Sequence, residues 1–350
     1  MNIAFGVVLA ILAGVINGLF ALPMKLARHW SWENTWLPFS VLGLILFPRL
    51  AIWNGIPRLQ QAYAEVGWST VAIPILWGVV IYTGSMLFGR SMVYIGTALA
   101  FALLVGSMSI VGVLMPLVLY SPAVFGTSGG RWILLGIAIL FMALVACAKA
   151  GALKAVRGSL GADTTRSRSS AILGMTFAIV GGALSGLLSL GLNTGWAHAI
   201  SQAAVRTGGA TDATATNAVL LLVLLGGSIP NCLYCAYLLS RNGTWHCYRK
   251  SWSYWLIILL MAGMYSGSTA IWGVSTSVTM LGKMGPSIGW ALYIGAIAVS
   301  SNVGGFLTGE WNNAGRTATR IMVAGLALIV VAMGFVGYGN SLVNLGNARR

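Results

Sequence analysis

Charge is what this sequence has least of: only 7% of its 350 residues are charged, against about 25% in an ordinary soluble domain. A folded surface so poor in charge would leave apolar side chains in water, so the outer surface is expected to face lipid. Acids are the scarcest, five in all: Glu33, Glu65, Asp163, Asp212 and Glu310. No clustered acid–base or metal constellation can be drawn from these and three histidines, so an enzyme is not expected, and neither is a metal or a cofactor. Phosphate-loop, HExxH and GxSxG patterns are missing: Gly282-Lys283 is followed by Met284, which leaves ATP-driven pumping, metalloprotease and α/β-hydrolase chemistry without support. Cysteine is sparse too. Cys232 and Cys235 form a CxxC inside the apolar run CLYCAYLL, with no second pair to complete a tetrahedral site, and read as two thiols one helical turn apart. Cys147 and Cys247 complete the set, and nothing argues for disulfides. No loop is long enough for the soluble output domain that a membrane sensor needs.

Apolar residues, by contrast, make up 58% of the chain, with 46 glycines and 14 tryptophans. Small residues suit helix contacts in a bilayer, and tryptophan suits its interface. A span needs about 20 apolar residues. Ten candidates occur: 3–25, 35–53, 70–93, 97–119, 131–148, 171–192, 216–239, 254–276, 286–307 and 319–337. The first begins without a clear basic start or cleavage site and reads as a permanent helix, not a signal peptide. The runs are continuously apolar, which argues against a β-barrel. The expected fold is all-α, a polytopic membrane protein.

Residues 149–170 are the most polar stretch and read as a linker between a first half, 1–148, and a second, 171–350; residues 194–215 read as a loop or an interfacial helix. The net charge of +15 is spread singly between apolar runs, which suits contact with membrane lipid and not with nucleic acid. Thirteen of the 20 basic residues fall on the side of the 149–170 linker. The positive-inside rule then puts that linker in the cytoplasm and both termini outside.

The first and sixth runs align without gaps: 6–22 on 174–190 share seven identities in 17 positions, including Gly14 and Gly18 against Gly182 and Gly186. Tyr82-Thr-Gly84-Ser85 recurs as Tyr265-Ser-Gly267-Ser268, and Gly130-Arg131 as Gly315-Arg316, in the same order. A duplicated unit of five helices has an odd number of crossings, so the two repeats are expected to be inverted. Inverted repeats place a solute site near mid-membrane between the halves.

On that basis Asn17, Tyr82, Asn193, Tyr265 and Trp272, with Trp290, are candidate solute-binding residues: aromatic faces and amide donors suit a sugar's apolar ring face and its hydroxyls. For Asn17, helix-to-helix hydrogen bonding is an equal alternative. Arg90 either snorkels from the end of its helix or lines the cavity. Glu33 and Glu310, each beside a tryptophan, and His198 are candidate proton-coupling or gating groups; salt bridges of Glu33 to Arg28 and of Glu310 to Arg316 are the plainer reading. Extending the repeat alignment sets Lys25 against Asn193 and Trp30 against His198, which adds Lys25 to the gating set.

Pro23-Met-Lys25, Trp30-Ser31-Trp32-Glu33 and Glu310-Trp-Asn312-Asn313-Ala-Gly315-Arg316 resemble the L-rhamnose–proton symporter family of the drug/metabolite transporter superfamily, as do Phe88-Gly89-x-x-Met92-x-Tyr94-x-Gly96 and the Asn193…His198 pair. The resemblance runs nearly end to end. It implies ten helices in two repeats, a bacterial inner membrane, and proton-coupled uptake of a monosaccharide such as L-rhamnose. Export of small organic metabolites or drugs, found elsewhere in the superfamily, is the alternative expectation.

Overall fold

An apolar run in hydrocarbon has no water to satisfy its amides, so it coils into a helix. A computed structural model describes residues 2–27, 29–52, 55–95, 97–158, 168–249, 252–309 and 311–348, and no strand occurs among them. Ten helical segments among the described residues are long and apolar enough to cross a membrane. Their bounds fall within a few residues of most of the sequence runs. The fourth, fifth and tenth are the clear exceptions.

In chain order the α-helices are α1 (Ile3–Leu19), α2 (Trp32–Val41), α3 (Phe47–Ile52), α4 (Leu59–Val66), α5 (Trp68–Ile95), α6 (Thr97–Ser109) and α7 (Met115–Tyr120), followed by α8 (Ser128–Gly158), α9 (Arg168–Leu192), α10 (Gly195–Arg206), α11 (Thr216–Asn242), α12 (Ser253–Ser275), α13 (Gly285–Leu307) and α14 (Arg316–Ala348). Helix α8 overruns its apolar stretch because the residues that follow, Lys149-Ala-Gly-Ala-Leu-Lys154, are mostly good helix formers. The stretch read as a polar linker therefore begins as the last turns of α8, where the Lys154 ammonium lies 4.7 Å from the centre of the Trp311 ring. Residues 194–215 hold the short helix α10, and α4 is a second short helix between spans.

Two spans contain a π-turn, Leu42–Leu46 between α2 and α3 and Ile110–Leu114 between α6 and α7. Each is followed by a proline, Pro48 and Pro116. Proline has no N–H for the preceding turn, so a carbonyl is freed. At the first π-turn the Ser266 hydroxyl fills that role, donating to the Gly43 carbonyl at 2.8 Å.

The chain divides into two compact units, each drawn from both halves of the sequence. The first is Met1–Thr83 with Gly191–Gly285, and the second is Gly84–Leu190 with Pro286–Arg350. In the first unit α1 packs on α12, α2 and α3 pack on α11 and α12, and α4 packs on α10. In the second, α8 and α14 lie along one another and α6 packs on α8. Helix α9 crosses α6 closely there: a Cβ at Gly182 would sit 2.1 Å from the Leu104 carbonyl oxygen, and one at Gly186 would sit 2.7 Å from that of Met108. Gly182 and Gly186 thus act in packing, as small residues do at membrane helix contacts.

Candidate functional site

Polar side chains inside a membrane bundle must find partners or face a cavity. In the first unit they converge on α12. The Tyr82 and Tyr265 hydroxyls, from α5 and α12, lie 2.5 Å apart. Asn17 of α1 donates through Nδ2 to the Ser268 hydroxyl at 3.1 Å. Ser268 donates in turn to the Tyr265 carbonyl at 2.8 Å, and Thr269 to the same oxygen at 2.9 Å. The Tyr82 ring takes the place of a missing side chain: a Cβ at Gly227 of α11 would fall 2.1 Å from its Cδ2. Helix α11 has no room to retreat. The virtual Cβ atoms of Gly78 and Gly226 would meet the Val223 and Ile75 carbonyls at 2.0 and 1.9 Å.

One side of Tyr265 is aromatic. Phe20 and Phe39 lie 5.2 and 5.4 Å from it by ring centres. Trp36 lies 4.9 Å from Phe39 and Trp32 stacks on Trp36 at 5.3 Å. The cluster joins neutral hydroxyls and an amide to an apolar aromatic wall, and holds no charged group.

Three of the candidate solute residues, Asn17, Tyr82 and Tyr265, meet in this cluster. Trp272 lies one helical turn beyond Ser268 and is 1% exposed. Asn193 is half-buried at the end of α9, immediately before Thr194, the residue that caps α10. Trp290 belongs to the second unit, where its indole packs at Gly112, with Nε1 2.2 Å from the position of a Cβ there. Phe20, Trp36, Phe39 and Ser268 were not singled out from sequence as site residues. Only Ser268 carried a signal, through its match to Ser85 in the repeated tetrapeptide.

The candidate coupling groups are dispersed. Glu33 is the second residue of its span, and among the described residues the other acids, Glu65 and Asp212, and all three histidines fall between spans. Glu33 is buried, at 6% exposure, and Asn242 at the end of α11 donates to its Oε1 at 2.8 Å. Beside it Asn34 donates to the Thr244 carbonyl at 3.0 Å, and the Trp30 indole donates to the Cys247 carbonyl at 3.1 Å. Tyr248, Tyr254 and Trp255 meet Trp30 edge-on. Burial pushes the Tyr248 phenol above its ordinary range. The start of α2 is thereby fixed to the end of α11. His198 is exposed on α10, its Nδ1 2.8 Å from the Thr194 carbonyl. Arg90 is exposed on the part of α5 that belongs to the second unit. Glu310 and Arg28 lie outside the described residues, as does the side chain of Lys25.

An ionic contact not foreseen from sequence joins the short helices. Arg206 at the end of α10 donates to Glu65 Oε1 from Nη2 at 2.6 Å and from Nε at 3.1 Å. The Thr207 hydroxyl donates to Glu65 Oε2. These donors, Thr207 foremost and then Arg206, hold the Glu65 carboxyl below its ordinary range. Beneath it Tyr63 donates to the Ala218 carbonyl at 2.7 Å, and burial raises its phenol. All four cysteines are free thiols, and no metal-binding group of histidine, cysteine or acid occurs among the described residues.

Ten apolar helical spans among the described residues, with a neutral, aromatic-walled polar cluster in the first unit, define a polytopic membrane carrier. The particular family follows from comparison: the model of the L-rhamnose-proton symport protein (RhaT) family matches residues 1–342, and the chain belongs to that family. Among its relatives, the L-rhamnose-proton symporter of Escherichia coli O9:H4 (strain HS) is 24% identical over 345 residues, covering 96% of this chain and 98% of that protein. The L-rhamnose-proton symporter of Cronobacter sakazakii is 23% identical over 350 residues, with the same coverage of each.

Proposed function

We propose that this chain is a secondary active carrier that takes up a monosaccharide such as L-rhamnose together with protons across the bacterial inner membrane. The observation that carries this reading is the neutral cluster of Asn17, Tyr82, Tyr265 and Ser268 against Phe20, Trp36 and Phe39. A sugar has no charge to neutralise. It offers C–H faces to aromatic rings and hydroxyls that both donate and accept, which suits phenols and an amide. Family membership favours uptake over the export alternative.

In this reading the halves 1–148 and 171–350 are inverted repeats, residues 149–170 lie in the cytoplasm, and both termini are periplasmic. Asn193, Trp272 and Trp290 are further solute-binding residues. The proton is carried near the ends of the spans, because among the described residues no acid or histidine lies deep within one. Glu33 is the proposed carrier: among the described residues it is the one acid placed within a span, and it is buried where Asn242 donates to its carboxylate. His198, Glu310, Lys25 and Arg90 serve gating. The test is uptake into proteoliposomes of labelled monosaccharides, with and without an inward proton gradient. L-Rhamnose or a related deoxy sugar should accumulate only with the gradient. Failure of every sugar tried would refute the reading.

A further inference from the structure

A second polar feature of the first unit is unexplained by the Tyr82–Tyr265 cluster. On another side of α12, a recess with an atom-free volume of about 220 Å3, its open side included, is lined by Asn217, Ser266 and Thr269 among apolar residues such as Ile52 and Leu224. Its enclosed part has room for one hydroxyl or one water. Asn217 is 6% exposed, and its Oδ1 has no hydrogen-bond partner among the described residues. The amide is accommodated because residue 273 is glycine, where a Cβ would fall 1.9 Å from Oδ1. Folding alone gives no reason to bury an unmet amide at the second residue of α11, since an apolar side chain of that size would pack there at no polar cost.

The other two oxygens have spent their protons. Ser266 donates to the Gly43 carbonyl and Thr269 to the Tyr265 carbonyl. What the recess offers is therefore oxygen lone pairs together with the Asn217 Nδ2 hydrogens, a mixed set that suits a neutral hydroxyl, which both donates and accepts.

We propose that the recess is a hydroxyl-binding subsite: it receives one hydroxyl of the transported solute, with water in its place between turnovers. The subsite shares a turn of α12 with Tyr265, whose carbonyl accepts from Thr269, so the two polar features lie in the same unit. This proposal rests on the carrier reading above.

The experiment is thermal melting of the purified protein with L-rhamnose as the probe, on the parent, Asn217→Leu and Thr269→Val. Leu removes the unmet amide at similar volume, so Asn217→Leu should melt at or above the parent without sugar. Its sugar dependence should be weaker, with the apparent Kd raised at least about fivefold. Thr269→Val keeps the shape and should weaken binding likewise, and it decides the matter if Asn217→Leu does not fold. If both folded variants respond to L-rhamnose as the parent does, the recess holds only water and the proposal is overturned, while the carrier reading stands. If neither L-rhamnose nor any other monosaccharide shifts the parent, both are overturned.

Discussion

The hydroxyls of Tyr82 and Tyr265 share a hydrogen bond of 2.5 Å between residues 183 positions apart in the chain. Neither phenol has a charged partner in that bond. One hydroxyl donates and the other accepts, so the pair forms a neutral link between α5 and α12. Tyr82→Phe and Tyr265→Phe should each weaken L-rhamnose uptake by about two- to tenfold in KM, the range of one neutral hydrogen bond. The double variant should lose less than the sum, because the residues act as a pair. Strict additivity in the double-mutant cycle would show that the tyrosines work independently.

Gly227 should tolerate no side chain. An alanine Cβ there would meet the Tyr82 ring at 2.1 Å, and overpacking of this kind costs about 1–3 kcal/mol. The expected outcome for Gly227→Ala is displacement of Tyr82, read as a loss of uptake that exceeds the fall in melting temperature. Gly267→Ala is the control, since a Cβ there meets nothing within 4 Å. Equal effects at the two positions would refute the account.

Much of the framework was legible in the sequence. Apolar length alone gives the ten spans, because hydrocarbon forces helices. The repeated tetrapeptides pointed to Tyr82 and Tyr265, and the structure brings these two together. What stayed hidden depends on which face of a helix turns inward. In a span apolar all round, periodicity does not report that face, so Phe20, Trp36, Phe39 and Asn217 looked like any other membrane residues. The contact of Glu65 with Arg206 joins two short helices 141 positions apart. Neither helix has the length of a span, and no local pattern predicts such a pairing. The extension of α8 past residue 148 was missed because polarity was read as loop, although alanine, leucine and lysine there favour helix.

Glu65 should give a pH-dependent contribution to stability. Its folded pKa is depressed, by the Thr207 hydroxyl first and by Arg206 next. The stabilisation is therefore present above the ordinary carboxylate value and is lost as pH falls through the lower folded one. It should be small, because the pair is exposed to solvent and ions. Glu65→Gln should melt slightly below the parent at neutral pH, and the gap should close in acid. A gap of constant size from neutral pH to below the carboxylate range would contradict the assignment.

Glu33→Gln should separate coupling from binding. Glutamine still accepts from Asn242 through its carbonyl oxygen, so the tie from α2 to α11 survives while the titratable group is gone. Gradient-driven accumulation should fall to the level of equilibration, while exchange of labelled for unlabelled sugar continues. Accumulation at the parent level would move the proton to His198 or Glu310.

The central claim is that sugar and proton cross together, and it is tested most directly by the external pH of lightly buffered, de-energised cells that express the protein. Addition of L-rhamnose should make the medium transiently alkaline as protons enter with the sugar. An uncoupler should abolish the change, and the Tyr82→Phe/Tyr265→Phe double variant should reduce it. Entry of labelled L-rhamnose at the parent rate without any alkaline shift would contradict the account.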